Sequence, residues 1–511
     1  MATRSNSPQQ FPENSNTFEK LGLLLIIAVA AIIRLQINFS TQLMPGINAP
    51  YYLVQVRSIL ENGTLGFPDL PLVFYTEAFF AKLLNFAGLC DFSGCIMISS
   101  KIIDALLYPL IAIPLFLLAN SVAKDIKAPR WIPLLTVVLV TMSTPAIVMI
   151  GELQKNSIGL VWAMFYIYFL YKGVGRGRPL DYLWAGAFFV LTGLTHLGAL
   201  GFCLAFSASF LFFSITLKHG RKIDLIKMPV LLLLTTASIS AFLLFFDPER
   251  LGKLVSVILF PIKMFERPII FAVLNGATNS PLQYLTTIPI VTSANLLAIL
   301  GLVLFVRKRG KIVSKEKILL LTSLTVTIFM ASPLLGAEWA GRLYLMAYIP
   351  VTIVSIFLLK YTLTTWKRLC LVVLMLPLMI APVQVVLGVK PATSITNEAY
   401  NDLFKLKNVI GDPERTLIIT RHGLEWWAAW TLRVNVSQGW NLTKESFKNY
   451  DNIYYLRQKT DQGNFGLLDS DGLSFPEVVI PPNAEIVYED ELYILAKTQP
   501  GPQQFYYEQE P

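Results

Sequence analysis

The sequence predicts an all-α polytopic membrane protein, with about eleven transmembrane helices, that ends in a small soluble α/β domain. Two observations support this fold class. Hydrophobic residues make up 54% of the 511-residue chain and charged residues only 15%, which is more apolar surface than a soluble core can bury. Apolar runs of roughly 20 residues, the length that crosses a bilayer as a helix, recur from Leu21 to Val389 and then stop.

The apolar runs divide the chain into three parts. Residues 1–19 are polar, and we predict a disordered cytoplasmic tail; residues 20–390 form the transmembrane domain, and residues 391–511 form the soluble domain. The predicted spans lie near 21–39, 96–120, 131–150, 158–171, 182–195, 197–217, 228–246, 288–306, 318–335, 343–359 and 369–389. Two long loops, 40–95 and 247–287, lie between spans on the predicted outer side.

Charge distribution predicts the orientation of the chain. The C-terminal domain contains 10 basic and 17 acidic residues, which gives it a net charge of −7, whereas the rest of the chain carries +16. The overall charge of +9 therefore does not indicate nucleic-acid binding. Basic clusters in the short loops mark the cytoplasmic side. An odd number of spans then places the tail in the cytoplasm and the C-terminal domain outside the cell membrane.

Two outer-loop segments need separate interpretations. Residues 73–89 are apolar but contain Glu77 and Lys82, and a full crossing here would make the number of spans even, so we predict an interfacial or re-entrant helix. The second loop, 247–287, interleaves Arg250 and other basic residues with apolar ones. This pattern is typical of an amphipathic segment at the headgroups, and it leaves a plain membrane anchor and a lid over a lipid phosphate as alternatives.

The C-terminal sequence alternates strand and helix patterns. We predict a strand over 416–420, a helix over 424–432, a strand over 452–456 and a strand pair over 484–497. The tryptophans of the helix favour a role in the domain core over one as a sugar platform. His422 and Glu425 lie three residues apart, but one such pair does not make a metal site.

The four cysteines fall into two pairs. Cys203 and Cys370 lie in apolar runs as ordinary small hydrophobic residues. Cys90 and Cys95 bracket a short loop on the predicted outer side, where a disulfide can form.

Candidate functional residues collect at the predicted outer ends of the spans. Asp69 lies in the first outer loop, and Glu152 lies in the turn after the third span, three residues before Lys155. The basic residues at outer ends are Arg34, Arg267 and Arg342. Charges this close to hydrocarbon cost free energy, which favours a functional reason for their presence.

Several short motifs resemble those of one superfamily. They are Arg34, Pro-Gly-Ile-Asn-Ala-Pro-Tyr-Tyr at 45–52, Phe-Pro-Asp-Leu-Pro-Leu at 67–72, Glu-Leu-Gln-Lys at 152–155, Leu-Thr-His at 194–196 and Gly-Arg-Leu-Tyr at 341–344. In this order they are similar to motifs of the GT-C superfamily, and most similar to its polyprenyl-phosphate-dependent branch, which includes protein mannosyltransferases and aminoarabinose transferases. The resemblance covers roughly residues 20–390, and an outer C-terminal domain is usual in this superfamily.

The resemblance implies a glycosyltransferase that moves a sugar from a polyprenyl-phosphate-linked donor to a lipid, glycan or protein acceptor outside the cytoplasm. Such a transfer needs a carboxylate at the membrane surface and cations that stabilise the departing phosphate. We assign Asp69, Glu152 and Asn48 to the catalytic group. The predicted donor-phosphate contacts are Arg34, Arg267 and Arg342. The predicted acceptor or lipid contacts are Tyr51, Tyr52, Lys155 and His196.

Asn48 departs from the family pattern, which has Asp at this place. An amide cannot act as a general base. Either Asp69 or Glu152 takes that role, or Asn48 only orients the acceptor, or the protein has lost catalysis and kept a scaffold that binds lipid-linked glycans. A transporter or flippase for such glycans is the remaining alternative, and the scarcity of charge at mid-span disfavours it.

Each candidate also has a purely structural interpretation. Asn48 can cap the helix that Ala49-Pro50 begins, and Asp69 can be a turn residue. Glu152 and Lys155 can pair with each other on one helix, whereas His196 fits a hydrogen-bonded core residue. The arginines can extend to lipid headgroups. The sequence indicates no metal site and no certain cofactor, and it leaves the participation of a divalent metal open.

Overall fold

The computed structural model describes residues 14–123, 129–176, 178–217, 222–274, 288–362, 364–380, 393–438, 446–459 and 476–498. Residues 1–13 of the predicted tail and residues 381–389 of the last predicted span lie outside the described residues. Within the described residues the chain is mostly helical, with one five-stranded sheet towards its C-terminal end.

The membrane domain is built from helices that we number α1 to α17 among the described residues. Their bounds are α1 Asn14–Asn38, α2 Ala49–Asn62, α3 Leu72–Phe86, α4 Phe92–Leu107, α5 Ala112–Ala123, α6 Trp131–Thr141, α7 Thr144–Val148, α8 Gln154–Arg176, α9 Pro179–Thr195, α10 Leu197–Thr216, α11 Lys222–Phe246, α12 Pro248–Leu259, α13 Ile269–Leu274, α14 Ile288–Lys308, α15 Ser314–Met330, α16 Ala337–Tyr361 and α17 Thr365–Met375. Each of the eleven predicted spans overlaps one or two of these helices. The first helix begins at Asn14, inside the segment predicted as a tail.

Seven helices in the described part of the chain are long and apolar enough to cross a membrane. They are Thr17–Asn38, Phe92–Ala123, Trp131–Val148, Gln154–Val174, Leu197–Thr216, Ile290–Lys308 and Trp339–Tyr361. The share of residues buried inside the protein differs sharply among these spans, from 22% in the first to 89% in the last. The last span is therefore the centre of the helix bundle and the first lies at its edge. The chain is a multi-pass membrane protein.

The first outer loop is itself helical, with α2 and α3 between the first two spans. Helix α3 occupies the apolar segment that we predicted as interfacial. One face of α3 is buried, with Phe74 and Ala78 in the core, and the other exposes Phe79 and Phe86. The disulfide between Cys90 and Cys95 closes the turn between α3 and α4.

The C-terminal domain contains three helices and five strands among its described residues. The helices are α18 Asn397–Leu403, α19 Glu425–Leu432 and α20 Ser446–Asn449, and the strands are β1 Thr416–Thr420, β2 Asn435–Gln438, β3 Asn452–Gln458, β4 Glu485–Glu489 and β5 Tyr493–Thr498. The sheet order is β2-β1-β3-β5-β4. Strand β1 pairs in parallel with β2 and β3, and β5 is antiparallel to β3 and β4. The small α/β domain predicted from the sequence is confirmed.

The C-terminal domain packs directly on the first outer loop. Helix α2 contacts α19, where the Arg57 guanidinium donates to the carbonyl oxygens of Ala429 (3.0 Å) and Trp430 (2.5 Å). A single β-bridge joins Gly46 to Thr393. Apolar residues of α2, α3, α18 and α19 share one buried cluster. The C-terminal domain therefore packs on the loop and helix that carry Asn48, Tyr51 and Tyr52.

Candidate active site between the first outer loop and the C-terminal domain

Asn48 and Glu152 are in direct contact. The Glu152 carboxylate accepts hydrogen bonds from the backbone N–H groups of Ile47 and Asn48, the latter at 2.9 Å, and from the side-chain amide of Asn48. Asn48 is the residue before α2, but its side chain makes no capping bond to that helix. The amide thus holds the carboxylate, and the purely structural interpretation of Asn48 as a helix cap is wrong.

Two glycines allow the loops that carry Asn48 and Glu152 to touch. Gly46 has a φ of 96°, and a Cβ there would lie 2.6 Å from Glu152 Oε2. Gly151 has a φ of 71°, and a Cβ there would lie 2.5 Å from the carbonyl oxygen of Pro45. Residues with a side chain rarely adopt such positive φ angles. Close approach of the two backbones therefore depends on glycine on both sides.

Asp69 lies in a cluster of charges and is almost fully buried. Its carboxylate forms ion pairs with Lys155, at the start of α8, and with Arg250, in the first turn of α12. The Tyr51 hydroxyl donates to the same carboxylate at 2.6 Å. Lys155 therefore pairs with Asp69 and not with Glu152, the alternative that sequence spacing left open.

The surroundings of Asp69 determine its protonation. Burial by itself raises the pKa of Asp69, but the charge of Lys155 and the hydrogen bond and charge of Arg250 outweigh burial and lower the pKa to about 2. Asp69 is therefore an anion at any physiological pH. Its pKa is too low for an efficient proton acceptor near neutral pH.

The cations of this cluster remain partly accessible. The Arg250 side chain is 30% exposed and that of Lys155 is 15% exposed, whereas the Asp69 side chain is fully buried. Asp247 accepts from the Arg250 backbone at 3.1 Å and pairs with its guanidinium at 2.9 Å. This capping carboxylate fixes the start of α12, so that segment is attached to the outer loop through Arg250. The cations can thus meet a ligand anion without moving their backbones.

The Asp69 and Glu152 clusters share the same supporting helices. Tyr52 accepts a hydrogen bond from the Lys155 backbone N–H at 3.1 Å, which ties α2 to the start of α8. The Lys155 ammonium lies 5.4 Å from the centre of the Tyr51 ring. The predicted contact residues Tyr51, Tyr52 and Lys155 are therefore brought together with both carboxylates.

His196 lies at the junction of α9 and α10 and caps the latter. Its Nδ1 accepts from the backbone N–H of Ala199 at 3.1 Å, which leaves the proton on Nε2. The charges that act on the ring are those of Lys155, Asp69, Arg250 and Arg342. His196 is thus a helix cap beside the charged cluster.

The three predicted donor-phosphate arginines have different environments. Arg34 is fully buried and donates to Asp104 Oδ1 at 2.7 Å and to the Ala146 carbonyl oxygen at 2.8 Å. These partners hold its guanidinium inside the bundle, so we do not keep Arg34 in the proposed donor site. Arg267 and Arg342 are exposed. Arg342 lies within electrostatic reach of His196, whereas no contact among the described residues joins Arg267 to the cluster.

The C-terminal domain adds residues that the sequence analysis considered but did not assign to the site. Trp426 packs on Tyr51 with ring centres 4.7 Å apart and on Phe67 at 5.3 Å. It thus belongs to the interface, whereas its neighbour Trp427 is in the domain core as predicted. His422 Nδ1 lies 2.8 Å from Glu425 Oε1. The only sequence signal for this pair was its spacing of three residues.

The residues at Glu152 do not fit a divalent metal ion. Both carboxylate oxygens accept hydrogen bonds from amide N–H groups, and Asn48 is neutral, so the two side chains together offer a divalent cation only one negative charge. In the part of the chain that the structure describes, no three His, Cys, Asp or Glu residues group as metal ligands. We therefore assign no step to a metal.

Comparisons with known proteins identify the fold. The structure is similar to that of the Archaeoglobus fulgidus oligosaccharyltransferase in complex with Zn and sulfate, with a TM-score of 0.56 and 11% identity over 84% of this chain and 67% of that chain. It is also similar to the archaeal oligosaccharyltransferase AglB from the same organism in complex with an inhibitory peptide and a dolichol-phosphate, with a TM-score of 0.54 and 11% identity over 86% and 70%.

A further similarity is to ArnT from Cupriavidus metallidurans bound to undecaprenyl phosphate, with a TM-score of 0.38 and 12% identity over 93% of this chain and 97% of that chain. No protein-family model matches the sequence, and no curated protein matches it either. The chain is a polytopic membrane protein, and its fold is that of the archaeal oligosaccharyltransferase structures, as expected from the motifs that resemble the GT-C superfamily.

Proposed function

We propose that the protein is a membrane glycosyltransferase, which transfers a sugar from a polyprenyl-phosphate- or diphosphate-linked donor to a lipid, glycan or protein acceptor. The observation that carries the proposal is the open charged cluster of Asp69, Lys155 and Arg250 beside the fixed carboxylate of Glu152. The same fold binds a dolichol-phosphate and an inhibitory peptide in the archaeal oligosaccharyltransferase, which supports a lipid phosphate and an acceptor as the ligands here.

The donor phosphate would bind at Arg250 and Lys155. Asp69 orients both cations, and each stays accessible at the surface of the cluster. As the bond between the sugar and the phosphate breaks, negative charge develops on the phosphate oxygen. Cations fixed in advance stabilise that charge without having to reorganise. Arg342, exposed near the same cluster, is the further contact that we keep from the sequence prediction.

The sugar and the acceptor would meet beside Glu152. Glycosyl transfer passes through a transition state with positive charge on the sugar ring, which a nearby carboxylate stabilises. Three N–H donors keep the Glu152 carboxylate in one place. Asn48 retains an amide oxygen that can accept a hydrogen bond, so it can orient an acceptor but cannot remove its proton.

The site would lie outside the cytoplasm. Basic residues concentrate in the short loops on the opposite side of the membrane domain, as the positive-inside rule expects of cytoplasmic loops. The tail would then be cytoplasmic and the C-terminal domain extracytoplasmic. Polyprenyl-phosphate donors reach this side of the cell membrane as lipids, which is consistent with apolar residues exposed on α12, such as Val255 and Leu259.

The Asn48–Glu152 contact also supports a second candidate function. An amide in place of the family's Asp is consistent with a scaffold that binds lipid-linked glycans and does not transfer them. Asn48→Asp distinguishes the two. If the variant gains transfer that the parent lacks, the scaffold is the better description; transfer by the parent excludes it.

The test is sugar transfer by purified protein in lipid nanodiscs. Radiolabelled polyprenyl-phosphate sugars are offered with native membrane extract as the acceptor source, and wild type is compared with Glu152→Gln and Asp69→Asn. We expect each variant to lose about 100-fold or more of the rate. Asp451→Asn is the matched control, because Asp451 is an exposed carboxylate of the C-terminal domain. Lipid binding without transfer from any donor would contradict the proposal.

A further inference from the structure

The three tryptophans of α19 lie in different environments. The indole N–H of Trp427 donates to Ser394 Oγ at 2.8 Å. That of Trp430 donates to the Tyr400 hydroxyl at 3.3 Å, and both rings are buried in the domain core. The ring of Trp426 is only partly buried, and its N–H has no hydrogen-bond partner among the described residues. A buried tryptophan usually finds a partner for this group, so Trp426 carries a donor that a ligand can use.

Trp426 completes an aromatic surface to which both domains contribute. Its ring centre lies 4.7 Å from that of Tyr51 and 5.3 Å from that of Phe67. The ring centres of Tyr51 and Phe67 are 6.4 Å apart. All three side chains are partly buried, so each packs on its neighbours and keeps some area open. We call these three residues the aromatic surface.

A buried amide fixes the part of the aromatic surface that belongs to the first outer loop. The side chain of Gln55 is fully buried. Its amide oxygen accepts from the backbone N–H groups of Gly66 (2.9 Å) and Phe67 (3.1 Å). Its NH2 group donates to the carbonyl oxygen of Phe67 at 2.9 Å and to the Tyr51 hydroxyl at 2.7 Å. A surface fixed in advance loses little conformational entropy when a ligand binds.

The aromatic surface and the charged cluster share Tyr51. The Tyr51 hydroxyl donates to the Asp69 carboxylate at 2.6 Å. The Lys155 ammonium lies 5.4 Å from the centre of the Tyr51 ring. Asp69 also pairs with Arg250, whose side chain is partly exposed. An anion bound by Lys155 and Arg250 would therefore lie beside the aromatic surface.

A sugar phosphate matches this combination of cations and aromatic rings. A pyranose has an apolar face of C–H groups, which packs on aromatic rings, and a rim of hydroxyls, which form hydrogen bonds with a few placed polar groups. Its anomeric carbon is joined to the phosphate through a single oxygen. A phosphate held at Lys155 therefore keeps its sugar close to Tyr51, whereas a phosphate without a sugar would use the cations alone.

We infer that the aromatic surface binds the sugar of the donor in the proposed transfer reaction, on which this inference depends. The C–H face of the sugar packs on the Trp426 ring, and a sugar hydroxyl accepts a hydrogen bond from the Trp426 N–H. Lys155 and Arg250 hold the phosphate. The C-terminal domain thus supplies a residue that selects the sugar, while the membrane domain supplies the contacts to the phosphate.

The first test measures binding without turnover. Isothermal titration calorimetry in one detergent compares farnesyl phosphate with farnesyl phosphate that carries mannose, glucose or galactose. For wild type we expect at least one sugar lipid to bind about 10-fold more tightly than the bare lipid. Trp426→Ala should lose this difference and bind the bare lipid as wild type does. Trp426→Phe keeps an aromatic face and should stay within about threefold of wild type.

The matched control for the loss of one indole is Trp366→Ala. Trp366 lies on α17 and is 73% exposed, so we expect this variant to bind both kinds of lipid as wild type does. Unfolding temperatures of all variants are measured in the same detergent. If Trp426→Ala unfolds at a lower temperature, Trp426→Phe and a third variant, Trp426→Tyr, which also keeps a ring, replace it in the comparison.

The second test is the concentration dependence of transfer in nanodiscs. We expect Trp426→Ala to raise the KM for the donor about 10-fold and to leave the KM for the acceptor unchanged, because only donor binding loses a contact. A rise confined to the acceptor KM would assign the aromatic surface to the acceptor and overturn the inference.

The outcomes separate this inference from the proposed function. An equal loss of sugar lipid and bare lipid in Trp426→Ala would show that Trp426 only supports the phosphate site, which overturns the inference. A sugar lipid that wild type binds no more tightly than the bare lipid, for every sugar tried, overturns it as well. Transfer by wild type leaves the glycosyltransferase intact in both cases, whereas absence of both lipid binding and transfer overturns both proposals.

Discussion

The buried ion pairs of this protein are of two kinds, closed and open. Lys360 and Glu316, 2.8 Å apart, are both within 2% of full burial. Lys360 also donates to the carbonyl oxygen of Val122 and Tyr361 donates to Glu316. In the open cluster only Asp69 is fully buried, and its partners Lys155 and Arg250 are partly exposed. The closed pair has satisfied its charges within the protein, whereas the open cluster can exchange a protein contact for a ligand.

The difference shows which charges the fold needs and which the proposed reaction needs. A buried charge that loses its partner destabilises the folded state, because the remaining charge stays away from water. A partly exposed cation that loses its partner can be solvated. Closed pairs should therefore affect unfolding, and open ones should affect ligand binding and turnover. The Arg34–Asp104 pair is also closed, which is the physical reason why we do not keep Arg34 among the proposed donor contacts.

The largest effect is expected from the closed pair. Glu316→Gln leaves the Lys360 ammonium buried without an anion, and we expect a loss of about 3–5 kcal/mol in the free energy of unfolding. Denaturant unfolding in one detergent measures it. The double variant Glu316→Gln with Lys360→Met removes both charges and should recover much of the loss. A single variant as stable as wild type would contradict the distinction between closed and open pairs.

The second effect is on activity more than on folding. Arg250→Gln removes one cation from the open cluster, and we expect transfer to slow about 100-fold. The free energy of unfolding should fall by less than in Glu316→Gln, because Lys155 and the Tyr51 hydroxyl still hold the buried Asp69 carboxylate. Transfer assays and denaturant unfolding of the same preparation give both numbers. Lys263→Gln is the control, since Lys263 is an exposed cation on the same outer segment. A variant that loses stability and keeps activity would place Arg250 among the closed pairs.

The sequence predicted the elements of this comparison better than their contacts. Spans follow from apolar length, so all eleven predicted spans overlap helices. The position of a charge at a helix end is also visible in sequence, as for Asp69 and Glu152. The partner of Asp69 is not visible, because Arg250 lies 181 residues further along the chain. Hydropathy cannot reveal which side of a helix faces the bundle, so Arg34 was predicted to be a donor-phosphate contact, whereas its side chain lies buried in the bundle.

In the C-terminal domain, too, the sequence predicted some elements well and left others, with their contacts, unseen. Strand β1 was predicted with its observed bounds because five apolar or β-branched residues stand together. Strand β2, Asn435–Gln438, was missed, since three of its four residues are polar and it lies at the edge of the sheet. Gln438 ends that strand beside Glu425. The missed strand therefore also concealed the contact of Gln438 with the His422–Glu425 pair.

The third effect is a pH dependence of stability at the open cluster. The folded-state pKa of Asp69, about 2, is below the value of about 3.9 for an unfolded chain. The contribution of the ionised Asp69 carboxylate to the stability of the folded state is therefore present above about pH 4 and is lost as the pH falls through about 2. We expect Asp69→Asn to lower the free energy of unfolding by about 2 kcal/mol at neutral pH. The difference in free energy of unfolding between wild type and the variant should narrow as the pH falls. Unfolding of both proteins at matched pH values measures this difference, and a difference that is constant down to pH 2.5 would contradict the assigned ion pairs.

The smallest effect is expected from an ion pair whose two side chains are both exposed. Arg415 and Asp451 form an ion pair at 2.6 Å, but their side chains are 56% and 58% exposed. Water and salt screen such a pair, and fixing two mobile side chains costs entropy. Arg415→Gln should therefore change the free energy of unfolding by less than about 1 kcal/mol and leave transfer unchanged. A larger loss would mean that distance alone, and not burial, ranks the ion pairs of this protein, because this pair is shorter than the closed pair of Lys360 and Glu316.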